Sequence, residues 1–151
     1  MEVVSLIDYV VTVKEERMSV AANTALVERY IAEVWNGGKR AELDEFLAPD
    51  YYDYSFSPPD RAGLENILAI TDAAFPGHQT IIESIVGQGD TVAVCETFRG
   101  VQRGPFRALP ASGKGFEVAR YRFFTVADGK ITSHRGLLDL PALLRQLGAG
   151  E

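Results

Sequence analysis

From Asn23 onward apolar positions recur at helical spacing, with Leu26, Val27, Tyr30, Ile31, Val34 and Trp35 on one side and Gly37-Gly38 as a terminator, which predicts a first helix. A shorter helix is predicted over Arg40 to Leu47, where Leu43, Phe46 and Leu47 share a face and Pro49 closes the segment. Tyr51 to Phe56 is an aromatic run ending at Pro58-Pro59 and reads as a short strand. A third helix is predicted from Arg61 to Phe75, bounded by Asp60 and by Pro76-Gly77.

Beyond Gln79 the pattern becomes strand-like: Gln79 to Val86, Thr91 to Val101, Gly115 to Val126 and Lys130 to Leu138, then a closing helix from Leu140 to Leu147. Asp128-Gly129 between two such runs is a strong hairpin signal. Helices first and strands afterwards argue for an α+β fold, three N-terminal helices covering one face of a curved antiparallel sheet.

A two-residue turn at Asp128-Gly129 sets Ala127 opposite Lys130, and counting outward puts Arg122 opposite Arg135 and Val118 opposite Asp139. One face then carries Arg120, Arg122, Phe124, Arg135 and Asp139, and the other carries Tyr121, Phe123, His134 and Leu138. Neither is polar throughout, so both meet something: helices and a cavity on one side, another subunit or the N-terminal segment on the other. Asp139 lies where the last strand gives way to the last helix. That is a preferred place for an N-cap, since a carboxylate accepts first-turn N–H groups and Pro141 costs little there.

Composition narrows the function classes. The chain has 151 residues, 46% hydrophobic and 24% charged, which fits one domain with a sizeable core. A net charge of −6 with its basic residues scattered leaves no stripe for a phosphate backbone, so no nucleic acid is expected. Cys95 is the only cysteine, which forbids an internal disulfide and fits a reduced, cytoplasmic setting. With His78 and His134 it is too little for a Cys/His zinc site, and no metal is expected. The first seventeen residues lack the basic start of a signal peptide and are too short to span a membrane. Residues 1–20 are therefore expected as an N-terminal extension, and 21–150 as the domain.

Four stretches in order carry a family resemblance: "VERYIAEVWNGG" with "LDEFLAPDYYDY", "AAFPGHQTIIESIVGQGDTVAV", "RGVQRGPFRALPASGK" and "VADGKITSHRGLLDLPALLRQLG". Over nearly all of residues 24–149 the chain resembles the SnoaL-like polyketide cyclases, within the nuclear-transport-factor-2-like (ketosteroid-isomerase-like) superfamily. The resemblance implies a cone-shaped α+β barrel with an apolar pocket in its mouth and a homodimer. It implies a small hydrophobic or aromatic ligand and no cofactor. It assigns Asp139 as general acid/base for intramolecular aldol ring closure, a role that suits a carboxylate whose pKa is raised in a dry pocket.

The chain departs from the family pattern at Tyr54, Gln102, Arg122 and Arg135, which makes the expected pocket more cationic. The candidate catalytic set is Asp139, Arg135 and His134, with Arg135 or Arg122 facing the developing oxyanion. Tyr54, Gln102 and Arg122 are expected to bind the ligand, with Trp35, Phe75, Phe98 and Phe124 lining its site. Two other readings stay open. One is an epoxide hydrolase, or a hydroxylase-like enzyme, of the same fold, with Asp53, Asp139, Arg99 and Arg135 available for the hydrolase. The other is a binding module without catalysis.

Overall fold

A computed structural model describes residues 5–149. Helix α1 (Leu6–Tyr30) begins well before the expected start, so residues 6–20, expected as part of an extension, are continuous with the first helix. Ser5 caps it, its Oγ accepting the Asp8 N–H at 3.1 Å. Its first turns expose Leu6, Ile7, Tyr9 and Val10. The apolar stripe enters the core only from Val27, then through Tyr30, Ile31, Val34 and Trp35.

Ile31–Asn36 continues the rod as a π-helical stretch. Such stretches are rare and often lie at functional sites. Here it presents Trp35 to the interior. It also lets Asn36 pair with the backbone of Thr80, donating to its carbonyl at 2.9 Å and accepting its N–H at 2.7 Å. Gly37 ends the stretch: a Cβ there would lie 2.6 Å from the Glu33 carbonyl oxygen.

A 3-10 turn (Arg40–Glu42) and helix α2 (Leu43–Phe46) lead into strand β1 (Leu47–Asp53), which starts earlier than expected. Pro49 is tolerated because β1 is an edge strand with one neighbour. Helix α3 (Arg61–Ala74) is capped by Asp60, whose carboxylate accepts the N–H groups of Ala62 and Gly63. Strands β2 (Gln79–Gln88), β3 (Thr91–Val101), β4 (Gly115–Ala127) and β5 (Lys130–Leu138) follow as expected, then helix α4 (Leu140–Gln146). The curved, unclosed sheet has the order β1-β5-β4-β3-β2. It is antiparallel except for β1, which runs parallel to β5.

The β4–β5 register differs from the expected one. Ala127 does pair with Lys130 across a turn in which Asp128 and Gly129 have φ of 50° and 72°, as a two-residue hairpin loop requires. One step later Thr125 pairs with Ser133 while Val126 pairs with Ile131, so Thr132 is an extra residue and β5 is bulged. The side chains stabilise the bulge, since Thr125 Oγ1 lies 2.7 Å from Thr132 Oγ1 and 2.5 Å from Ser133 Oγ. Every residue of β5 beyond the bulge changes face. Arg122 stands opposite Gly136, and Phe124 opposite His134.

Period two then holds on the inner face: Val92, Val94, Glu96 and Phe98 from β3, and Phe116, Val118, Arg120, Arg122, Phe124 and Val126 from β4, are all buried. One apolar cluster packs α1 and α2 on β4 and β5 through Tyr30, Phe46, Phe124 and Ile131. A second joins Phe75, Phe98, Phe106 and Phe116 to Leu143 of α4 and to Leu147 just after it.

Candidate active site

Between these clusters lies a cavity of about 520 Å³, within the range usual for small-molecule sites. Its walls are apolar, with Phe56, Ile67, Phe75, Phe98, Phe106, Leu138 and Leu143 among them, and its polar lining comes from Ser55, Thr71, Arg107, Arg120, Arg122 and His134. Trp35, Gly136, Leu137 and Leu140 complete much of the remainder.

His134 is held from behind. Asp53, the last residue of β1, is fully buried, and its carboxylate lies 3.1 and 3.2 Å from His134 Nδ1. The parallel pairing of Asp53 with His134 creates this contact. Asp53 also accepts the Tyr51 hydroxyl at 2.5 Å and the Ser55 N–H at 2.9 Å. Phe56 stacks on the imidazole at 5.6 Å and Phe124 tilts against it at 5.1 Å, so the ring is held in an aromatic slot.

The protonation states follow from these surroundings. Burial pushes Asp53 up, but the hydrogen bond and charge of His134, the Tyr51 hydroxyl and the Ser55 N–H outweigh it and hold the carboxyl below its ordinary value. Burial pushes His134 down, assisted by the charges of Arg122 and Arg120 against the opposing pull of Asp53. At neutral pH the pair is therefore a carboxylate with a neutral imidazole. An ionised Asp53 can only accept, so Nδ1 carries the proton and Nε2 keeps its lone pair. Nε2 is buried without a hydrogen-bond partner. Burial also pushes Tyr51 far up and Tyr30 up to about 12, so both phenols act only as neutral groups.

Beside this dyad, one carboxylate serves two guanidinium groups. Glu96 Oε2 accepts Arg120 Nε at 2.7 Å and Arg122 Nε at 3.1 Å. Arg120 also donates to Thr80 Oγ1 at 2.5 Å. Burial and the neighbouring Arg122 push Arg120 down to about 9 against the pull of Glu96, which still leaves it a cation at neutral pH. Both guanidinium groups lie over the Trp35 ring, at 4.9 and 4.1 Å. Arg122 Nη1 and Nη2 have no acceptor, and Glu96 Oε1 has no donor. Gly136 leaves space beside the dyad, since a Cβ there would lie 3.0 Å from His134 Nε2 and 3.8 Å from Arg122 Cγ.

The expected site residues separate accordingly. Arg122, His134, Trp35, Phe75 and Phe98 line the cavity. Phe124 instead belongs to the apolar core behind it. Gln102 is fully buried but holds the loop after β3, accepting from Ser112 and donating to the Leu109 carbonyl. Tyr54 and Arg135 lie exposed on the outer face, the guanidinium 3.6 Å from the ring centroid. Asp139 is exposed at the mouth of α4, accepts the Ala142 N–H at 3.1 Å and is not among the lining residues. The bulge at Thr132 is the reason, because it turns Arg135 and Asp139 away from the face of Arg122.

The set Asp53, Asp139, Arg99 and Arg135 is likewise not gathered: Arg99 is exposed and bonded to Gln79, and Asp53 alone of the four is buried. Asp53 as partner of His134, together with Glu96 and Arg120, went unselected in the sequence. Alternation signals two of them, since Glu96 follows Val92 and Val94 on the apolar face of β3 and Arg120 lies between Val118 and Phe124 on that of β4. Among the described residues no group of three or more His, Cys, Asp or Glu side chains is placed to hold a metal ion, and no helix is long and apolar enough to cross a membrane.

The family model described as SnoaL-like polyketide cyclase matches residues 25–147. The chain belongs to the SnoaL-like polyketide cyclase family. No curated protein matches the chain significantly by sequence. Among solved structures, TsrD from Streptomyces laurentii is 30% identical with a TM-score of 0.76, the match covering 85% of this chain and 96% of that one. IdmH from Streptomyces antibioticus, a candidate polyketide cyclase, is 28% identical with a TM-score of 0.75, covering 84% and 99%. AclR from Streptomyces galilaeus, a candidate hydroxylase, is 25% identical with a TM-score of 0.78, covering 85% and 97%. The SnoaL-like cone is thus matched over almost the full length of each neighbour.

Proposed function

We propose that this SnoaL-like protein catalyses cofactor-independent ring closure, an intramolecular aldol addition, on an apolar polyketide-type ligand held in the cavity, with His134 as the base in place of Asp139. The observation that carries this reading is the buried, unpartnered Nε2 of an imidazole whose Nδ1–H is fixed by Asp53. Nε2 takes a proton from the carbon next to a ligand carbonyl, and the electron pair passes to the carbonyl oxygen as an enolate. The guanidinium of Arg122 faces that developing charge in a cavity with apolar walls, where such stabilisation is strong. The enolate carbon then bonds to a second carbonyl carbon of the same molecule. The imidazolium returns its proton to the new alkoxide, and Asp53 stabilises the imidazolium in between.

The outer face of the sheet supports the expected homodimer. Tyr52, Tyr121 and Phe123 are large and exposed there, together with the stacked pair of Tyr54 and Arg135. Large exposed aromatic side chains grouped on one face of a sheet are a feature of interaction surfaces. The lone Cys95 fits a reduced, cytoplasmic setting.

Deuterium exchange tests the catalytic reading without the natural substrate. In buffered D₂O, a series of aryl methyl ketones of one to four fused rings should lose methyl protons faster with the protein than without it, as followed by proton NMR. His134→Gln should return the rate to background, and Asp139→Asn should leave it unchanged. No acceleration with any ketone, or full acceleration in folded His134→Gln, contradicts the proposal.

A further inference from the structure

The floor of the same cavity carries information about the ligand itself. Arg122 is only 1% exposed, its Nε is engaged by Glu96, and both of its terminal nitrogens lack an acceptor. Buried polar groups are nearly always satisfied, and a guanidinium left short of acceptors calls for a partner from outside the chain. The neighbouring carboxylates do not supply it. Glu96 reaches Arg122 only through Oε2 to Nε, an oxygen it shares with Arg120, while its Oε1 bonds to neither terminal nitrogen, and Asp53 is occupied by Tyr51, Ser55 and His134. Trp35 packs on the guanidinium at 4.1 Å and limits its rotation, so the two free nitrogens form a fixed planar fork. Such a fork fits two coplanar oxygens sharing one negative charge, as in a carboxylate or the enolate of a 1,3-dicarbonyl. Around it the walls are apolar, with Ile67, Phe75, Phe98 and Leu143 among the lining residues.

We infer that this cavity selects an apolar, ring-bearing molecule with one acidic, delocalised oxygen pair, bound as its anion on the Arg122 fork. The inference takes the location of the site from the function proposed above, but it does not depend on His134 acting as a base. Calorimetric titration of the full chain at pH 7.5 tests it, using aromatic carboxylates of one, two and three fused rings, each against its neutral primary amide. The best-fitting acid should bind at least about tenfold more tightly than its amide, as expected for hydrogen bonds to a charged group. In Arg122→Lys, which keeps the charge and loses the fork, that preference should shrink severalfold.

Equal affinity of acid and amide in the unaltered protein overturns the inference, and so does an absence of binding by every acid up to millimolar concentration. Folded His134→Gln should keep the preference for acids while losing proton exchange. Exchange retained in that variant sinks the catalytic reading alone. Exchange lost with no preference for acids in the unaltered protein sinks only the anion site.

Discussion

Two aspartates border the last strand, Asp53 paired beside His134 at the end of β1 and Asp139 just past the strand's own end, and their surroundings differ in every respect that matters. Asp53 is fully buried and meets a phenol, a backbone N–H and an imidazole. Asp139 stands in solvent at the start of α4 and accepts one backbone N–H. A carboxylate in the first setting fixes a tautomer and stabilises a neighbouring cation. In the second setting water screens the charge, and the carboxylate organises a helix end. Residue type alone suggests either role for either aspartate; burial and partners separate them.

The contrast breaks most visibly at Asp53. Asp53→Asn keeps the size of the side chain but removes the charge that stabilises an imidazolium. Turnover should fall on the order of 10³-fold or more, with circular dichroism reporting a retained fold. An unchanged rate would make Asp53 merely structural. Next is Glu96→Gln, which leaves two buried guanidinium groups without their shared counter-charge. Urea unfolding should show a loss of about 3–5 kcal/mol, whereas a loss under about 1 kcal/mol would mean that these arginines are better solvated than the structure implies.

Acid should affect the two regions unequally. His134 is held below its ordinary 6.5 in the folded chain. As pH falls below that value the unfolded chain takes up a proton that the folded chain refuses, so stability declines with falling pH. Asp53 is held below its ordinary 3.8, so the unfolded chain again binds the extra proton and a second loss begins below that point. Thermal melts between pH 8 and 3 should show both declines. Asp53→Asn should lack the lower one, and Asp139→Ala should retain both. A profile flat from pH 8 to 4 would contradict the buried pair. The smallest effect belongs to Asp139→Ala: a loss of about 0.5–2 kcal/mol, the usual cost of a missing N-cap, with turnover unchanged.

Much of the fold was legible. Helical spacing from Leu26 to Trp35, alternation in β3 and β4 and the Asp128-Gly129 turn each dictate their element, and the quoted stretches point to the family. The bulge was not legible, because Ile131-Thr132-Ser133-His134 has no alternation to reveal an extra residue. Its cause is a cluster of three hydroxyl groups formed only across the hairpin. That single residue decides which of His134 and Arg135 enters the cavity. Asp53 was hidden for a related reason, since its partner is 81 positions away and the contact depends on β1 lying parallel to β5. The length of α1 escaped because its first turns, all exposed, carry apolar residues with no core to explain them.

The central claim is that a neutral His134, lining the cavity, is protonated on Nδ1, held by Asp53 and left with a bare Nε2. Nitrogen-15 NMR of histidine-labelled protein at pH 7 tests it directly, because the chain has only two histidines and His78→Gln identifies the signals of the other. A proton-bearing Nδ1 beside a pyridine-type Nε2, with this pattern lost in Asp53→Asn, is the predicted result. An imidazolium, or a proton on Nε2, at pH 7 would contradict the account.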